Sequence, residues 1–277
     1  MSVPPLVVCS VAAGLYALGG RGRRRVWREL SFYAGVASVF VVLEPPFDNW
    51  ADTSFALHMT QHVVLLTVSA PLLVLGRPWP RLWIAFPLRA RRAVGRALAG
   101  SAGIRLAGRT LTRPGVAFAL MTAALAVWHV PALYDAAVGN EGIHILEHTC
   151  FLATALLYWG VLLDAPPVRA RIDHLHRAGW FFAALFPGWI LAIVLAYASS
   201  PIYDSYASLP RRVGGLSALA DQQLAAGVMW VPGSLVYFVA GVVAFYRWLG
   251  PAQKPPEPQP EELAWTSSPR TGSPATS

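Results

Sequence analysis

The sequence has few charged residues and few cysteines. Charged side chains make up 13% of its 277 residues, which is about half the share usual in a soluble domain. Hydrophobic residues make up 55%, and they cluster in runs of about 20 residues, the length that crosses the core of a bilayer. Cys9 and Cys150 lie inside apolar runs without a CxxC motif, so the sequence predicts neither a disulfide framework nor a thiolate metal site. The composition predicts a polytopic membrane protein.

The basic excess does not indicate a nucleic-acid-binding protein. The formal net charge is +8, but the arginines lie in the segments between apolar runs. This distribution is typical of membrane topology and not of a stripe that tracks a nucleic-acid groove. We therefore expect the lipid bilayer, and no nucleic acid, as the surroundings of the chain.

The apolar runs predict an all-α fold, a bundle of seven transmembrane helices. The predicted domain covers residues 1–249, with a basic cytoplasmic loop at 77–113 of which 88–108 has the pattern of an amphipathic surface helix. A Pro-, Ser- and Glu-rich segment at 250–277 predicts a disordered cytoplasmic tail. The predicted spans are 3–20, 30–46, 56–76, 114–138, 143–163, 179–198 and 222–247.

The positions of the basic residues predict the orientation. The segments after the first, third and fifth spans, together with the C-terminal side, hold 20 of the 22 Lys and Arg residues. The positive-inside rule then places the N-terminus outside and the C-terminus inside. Arginines follow the first apolar run and none precedes it, which argues against a cleaved signal peptide. A multi-pass location in a bacterial plasma membrane follows, with the outer face toward the periplasm.

Unusual polar residues fall at the outer level of four different predicted spans. His58 and His62 are four residues apart, as are His144 and His148, and residues at this spacing share one helical face. Ionisable residues inside spans are candidates for function. Taken singly, a methionine in a span more often serves packing than metal binding, and Asp221 could instead form a hydrogen bond between helices. The candidate metal-binding residues are His58, Met59, His62, His129, His144, His148, Asp221 and Met229.

Histidines in this number indicate a metal site. Imidazole binds copper, zinc, iron and nickel, and a thioether sulfur adds preference for Cu(I). We therefore predict Cu(I), with zinc as the alternative. Neutral imidazole is the form that binds metal, so occupancy should fall as the pH drops below about 6.5.

Four blocks of the sequence resemble a known family. LHMTQHVVLLTVSAPLLVLGRP, WHVPALYDAA, HILEHTCFLATALLYWGVLL and LADQQLAAGVMWVPGSLVY are similar to the CtaG family of multi-spanning cytochrome c oxidase assembly factors, the branch associated with caa-type oxidases. The resemblance covers about two-thirds of the chain. It implies a non-enzymatic bacterial inner-membrane protein that assists assembly of the oxidase through its copper centres. The implied partners are oxidase subunits and a periplasmic copper chaperone. The polar positions that match the family are His58, Met59, His62, His129, His144, His148, Asp221 and Gln222.

Two other functions fit part of the pattern. HILEH matches the H-x-x-E-H pattern of inverted zinc proteases, with Glu147 as the general base, so a membrane-embedded zinc hydrolase is the alternative. A haem protein is the other: bis-histidine haem ligation needs one histidine on each of two facing helices, and it does not require histidine pairs on a single helix.

Overall fold

The structure, a computed structural model, describes residues 5–20, 25–168, 170 and 172–250. These residues form helices and contain no strand, which confirms the all-α prediction. A single turn of 3₁₀-helix covers Val213–Gly215 and a π-helical turn covers Leu65–Ser69. The α-helices are α1 Pro5–Leu18, α2 Val26–Leu43, α3 Phe47–Ala51, α4 Phe55–Val64, α5 Ala70–Leu75, α6 Pro78–Ala85, α7 Leu88–Gly100, α8 Ala102–Leu111, α9 Pro114–Trp128, α10 Pro131–Gly139, α11 Glu141–Leu162, α12 His174–Ala183, α13 Leu185–Tyr197, α14 Asp204–Ala207 and α15 Ala218–Leu249.

Several of these helices are long and apolar enough to cross a membrane. Five qualify among the described residues, and a sixth is added if α8 and α9, which meet at a bend of 76°, count as one span. The five are Val26–Leu43, Phe55–Leu75, Glu141–Leu162, His174–Tyr197 and Ala218–Leu249. Helix α1 has 14 residues and is therefore about 21 Å long, shorter than the roughly 30 Å hydrocarbon core. The chain is a multi-pass membrane protein, while seven crossings and their orientation stay predictions.

The third predicted span, 56–76, is continuous but contains the π-helical turn directly before Pro71. Proline has no backbone N–H, so a carbonyl in the preceding turn loses its partner. In the π-helical register that carbonyl belongs to Leu66, and the indole N–H of Trp159 on α11 donates to it at 2.9 Å. Another helix thus supplies the partner, as expected for a helix break inside a membrane.

The fourth predicted span, 114–138, is divided into two helices. Helix α9 ends at Trp128, and α10 begins at Pro131. The pyrrolidine ring disfavours helical geometry in the residue before it, and Val130 accordingly has the extended angles φ −66° and ψ 125°. His129 therefore lies at the break between the two helices and not within a continuous helix.

The segment predicted as a basic loop, 77–113, contains helices α6, α7 and α8. The amphipathic helix predicted over 88–108 corresponds to α7 and α8, and none of their residues is buried. Its position on the membrane surface stays a prediction. The predicted tail lies outside the described residues from 251 onward, and α15 ends two residues earlier, at Leu249.

Candidate metal centre

Four histidines from two helices meet at one end of the bundle. Ser54 begins α4 by accepting a hydrogen bond from the backbone N–H of Leu57, and Asn140 begins α11 in the same way. Each helix therefore starts just before its HxxxH pair. The two pairs face each other, with 5.0 Å between the ring centroids of His58 and His144 and 5.1 Å between those of His62 and His148. We call His58, His62, His144 and His148 the histidine cluster, and the end of the bundle that carries it the histidine end.

The donor atoms of the cluster fall into two groups, each close enough to hold a metal ion. His58, His144 and His148 form one group whose ligand atoms all lie within 4.8 Å of one another, and His58, His62 and Glu147 form a second. The Nε2 atoms of His58 and His62 are 3.0 Å apart. Ligand bonds of about 2.0–2.1 Å would separate two tetrahedrally arranged nitrogens by about 3.3 Å, so this spacing fits two donors to one ion. His58 belongs to both groups.

Several polar atoms here are buried without a hydrogen-bond partner among the described residues. They include Nδ1 of His62, Nε2 of His144 and Nε2 of His148. Buried polar groups are normally paired, and each orphaned group costs about 1–3 kcal/mol. An ion coordinated by Nε2 of His144 and Nε2 of His148 would satisfy these two nitrogens, so the residues present fit a bound metal.

Glu147 belongs to one of the two donor groups, but the predicted ligand set omits it. Its side chain is fully buried, its Oε2 lies 3.9 Å from Nε2 of His58, and its Oε1 lies 3.8 Å from Nε2 of His62. Within the described part of the chain, neither oxygen accepts a hydrogen bond. Its position three residues after His144 places it on the same helical face, and this spacing is the signal that could have added it to the set.

Tyr206 on α14 fixes the orientation of His58. The phenolic O–H donates to the carbonyl oxygen of Ala51 at 2.9 Å, and the same oxygen lies 2.8 Å from Nδ1 of His58. Burial raises the pKa of Tyr206 above its ordinary value, so the hydroxyl keeps its single proton. Since that proton is donated to Ala51, Nδ1 of His58 must be the N–H donor, and Nε2 keeps the lone pair that a metal needs. Such outer hydrogen bonds set the tautomer of metal-binding histidines.

Replacing Tyr206 by Phe should weaken metal binding without removing a ligand. The variant loses the acceptor that holds the Nδ1–H of His58, and changes of this kind lower metal affinity by about 10–100-fold. Competition with a chromophoric chelator measures the affinity. Tyr203→Phe is the matched control, because Tyr203 is also buried but donates to the backbone carbonyl of His129. Equal affinity in the Tyr206→Phe variant and the wild type would contradict the assigned tautomer.

His129 and Met59 form a nitrogen–sulfur pair beside the cluster. Nδ1 of His129 is 2.7 Å from the carbonyl oxygen of Leu125, and a carbonyl only accepts, so Nδ1 carries the proton. The unprotonated Nε2 lies 3.4 Å from Sδ of Met59. The ring of His129 is 6.1 Å from that of His62, centroid to centroid. The structure therefore places both predicted residues next to the cluster but outside its two donor groups.

Asp221 and Met229 on α15 lie elsewhere. The Asp221 carboxylate accepts from Oγ of Ser54 at 2.8 Å and from the backbone N–H groups of Phe55 and Ala56 at 2.7 and 3.1 Å. It satisfies the free N–H groups at the start of α4, and its predicted role as a metal ligand gains no support from these contacts. Met229 lines a cavity of about 60 Å³ together with Val63 and other apolar side chains.

The partly exposed side of the cluster lies near two carboxylates. His144 is only partly buried, and it interacts electrostatically with Asp52, whose other charged neighbour is Asp48. Burial, with a contribution from Asp48, raises the pKa of Asp52 above its ordinary value. Two carboxylates of like charge held near each other favour a cation between or beside them. His144 is thus the cluster member that an incoming cation can reach first.

Comparison with known proteins confirms the family resemblance. A family model described as the cytochrome c oxidase caa3 assembly factor, CtaG, matches residues 12–250. Two curated relatives, both described as uncharacterized, come from Mycobacterium bovis and Mycobacterium tuberculosis. Each is 24% identical over 245 residues, which are 86% of this chain and 36% of the relative. The chain thus spans about a third of the length of these curated relatives. No solved structure matches it.

Proposed function

We propose that this chain, which belongs to the cytochrome c oxidase caa3 assembly factor family, holds Cu(I) as cargo in the histidine cluster and releases it to the oxidase during assembly. In this proposal the chain is a non-enzymatic, multi-pass protein of the bacterial inner membrane, and the cluster faces the periplasm. Oxidase subunits receive the copper, and a periplasmic copper chaperone supplies it. The seven-span topology predicted from the basic residues provides the orientation.

One observation carries the proposal. The four histidines, from two helices, contribute donor atoms to two groups that could each hold an ion, His58 with His144 and His148, and His58 with His62 and Glu147. Nε2 of His144 and Nε2 of His148 have no other partner within the described residues. A cluster that only stabilised the bundle would pair its nitrogens with carbonyls or hydroxyls. The tautomer of His58 assigned from its contact with Tyr206 leaves Nε2 directed into the cluster.

Copper is favoured over zinc by the donors next to the cluster. Imidazole nitrogen binds either metal, whereas thioether sulfur selects Cu(I). Met59 and His129 supply one sulfur and one unprotonated nitrogen, 3.4 Å apart, in apolar surroundings that include Phe151 and Tyr134. A singly charged ion is easier to hold in such surroundings than a doubly charged one.

The arrangement also suits release. A carrier must give up its cargo, so it needs an accessible ligand and a second set of donors that can take over coordination. His144 supplies the accessible ligand, and it lies on the side of Asp48 and Asp52. His129 and Met59 supply the second set, on the side of His62. We assign reception to the His144 side and transfer to the His129 side.

The zinc hydrolase is the second candidate because of Glu147. Its carboxylate forms a possible donor group with His58 and His62, and carboxylate oxygen is a common zinc ligand. A hydrolase, however, needs an open coordination position and a substrate that reaches it. The three residues are 2%, 2% and 0% exposed, which argues against substrate access at this group.

Glu147→Gln separates the two functions. The purified protein is loaded anaerobically with Cu(I) or Zn(II), and a competing chelator removes weakly held metal. We expect the wild type to retain copper in preference to zinc. The variant should retain copper within about 10-fold of the wild type, the lower limit of outer-shell effects, because the imidazoles remain. Membranes from cells that produce the variant should still contain active oxidase.

Glu141→Gln, an exposed position on the same helix, is the control for loss of one carboxylate. Two results together would favour the hydrolase over the copper carrier. The wild type would retain zinc in preference to copper, and Glu147→Gln would abolish function although zinc stays bound. If the wild type retains neither metal, the copper proposal fails.

A further inference from the structure

A groove lies at the end of the bundle opposite the histidine cluster. Four of the residues that line it lie at helix ends. Leu75 is the last residue of α5, Leu163 directly follows α11, His174 is the first residue of α12, and Arg247 lies in the last turn of α15. These helix ends all point away from the histidine end. Along α15, Arg247 follows Asp221 by 26 residues, which corresponds to about 39 Å of helix. The groove is therefore a separate site.

Most of the wall of the groove is apolar. The groove has a volume of about 510 Å³. Trp159 and Phe181 line it from α11 and α12. On α15 the wall continues along Leu235, Val239 and Val243, which are four residues apart and 57%, 51% and 47% exposed. A row at this spacing follows one helical face. Because α15 is long and apolar enough to span a bilayer, this exposed row faces the lipid hydrocarbon.

One end of the groove is basic. Arg177, Arg247 and His174 line it. Nε of Arg177 and Nδ1 of His174 are buried without a hydrogen-bond partner in the described part of the chain. In the same residues, neither arginine has a carboxylate oxygen within 4.0 Å. Asp164 and Asp173 act on Arg177 only at longer range, and Asp173 is engaged with His176. The positive charge of the groove is thus not neutralised by an ion pair.

We propose that the groove binds one anionic phospholipid from the bilayer. The phosphate lies at Arg177 and Arg247, and an acyl chain lies along the exposed row on α15. Guanidinium groups recognise phosphate through charge-assisted hydrogen bonds. Basic pockets between membrane helices bind anionic headgroups in this manner. The combination of an apolar wall, two guanidinium groups without carboxylate partners and a neighbouring lipid phase fits a phospholipid better than a soluble anion. The site is independent of copper binding.

Native mass spectrometry of the full-length protein tests the proposal. The protein, in a mild detergent, is titrated with phosphatidylglycerol or with phosphatidylcholine of the same acyl composition. We expect the wild type to prefer phosphatidylglycerol by about 5- to 30-fold, as one or two arginine contacts at a headgroup would give. The double variant Arg177→Gln/Arg247→Gln should bind the two lipids equally. Arg247→Lys, which keeps the charge, should keep part of the preference.

The control is Arg92→Gln/Arg96→Gln, which removes two arginines from α7, a helix without buried residues. This variant should keep the wild-type preference. Equal binding of both lipids by the wild type, or an equal loss of preference in the control variant, overturns the proposal. So does thermal stabilisation by inorganic phosphate as large as that by phosphatidylglycerol, because the site would then belong to a free anion. A lipid preference that emerges only after Glu257, Glu261 and Glu262 are replaced by Gln would assign the groove to the acidic tail instead.

Discussion

Copper retention falls by more than about 100-fold when His58 is replaced by alanine, because loss of a ligand should exceed the 10–100-fold effect of losing an outer hydrogen bond. His58 belongs to both groups of donors in the cluster, and its ring lies within contact distance of His62, His144 and His148. Each of the other three cluster histidines belongs to only one group. We therefore expect His62→Ala and His148→Ala to lower retention less than His58→Ala does.

Copper content per protein, measured by atomic emission after chelator treatment, tests this ranking. His176→Ala is the matched control, since it removes a histidine whose side chain is 73% exposed and should leave retention unchanged. His58 is buried, so the melting temperature of each variant must be compared with that of the wild type, and His58→Gln provides a polar replacement of similar size. Full copper retention in a folded His58 variant would mean that the cluster is not the copper site.

The parts of this site that the sequence predicts are those encoded by local spacing. The two HxxxH pairs face inward because residues four apart share a helical face, and hydropathy alone locates the helices that carry them. The family resemblance follows from the same blocks. The positive-inside rule added an orientation, which stays a prediction.

The remaining parts depend on packing between distant segments. Tyr206 lies 148 residues from His58, yet it determines which nitrogen of that ring carries the proton. The sequence predicted Asp221 at the same depth in the membrane as the histidines. Depth does not determine which neighbouring helix the side chain contacts. In the fold its carboxylate reaches the start of α4, more than 160 residues away in sequence. Depth along a helix is readable from sequence, but the neighbour that a side chain meets is not.

The same limit applies to helix continuity. The sequence predicted one span over 114–138, and Pro131 lies inside it. A proline leaves a backbone carbonyl in the preceding turn without its N–H partner. This local rule does not decide between a kinked helix and a division into α9 and α10. At Pro71 the outcome was the opposite, because Trp159 supplies the missing donor and the helix continues through a π-helical turn. Tertiary partners decide between these outcomes.

In cells, the double variant His144→Ala/His148→Ala should reduce caa-type oxidase activity to the level of cells that lack the protein. The variant removes the partly exposed receiving ligand together with a second member of the cluster, so copper can neither be taken up nor held. Oxidase activity in isolated membranes and copper per oxidase are the measurements. An immunoblot of the membrane fraction confirms that the variant is produced, and His176→Ala again serves as the control. Normal activity in a well-produced double variant would contradict a role of the cluster in assembly.

Added copper distinguishes delivery from a purely structural role. A delivery factor raises the supply of copper at the oxidase without changing the affinity of the oxidase for it, so a higher copper concentration should restore part of the lost activity by mass action. A scaffold that holds oxidase subunits together supplies contacts that copper cannot replace. Partial rescue of the double variant by copper, but not by zinc, therefore supports delivery. If activity stays low while the oxidase already contains its full complement of copper, the histidine cluster acts at a step other than metal insertion.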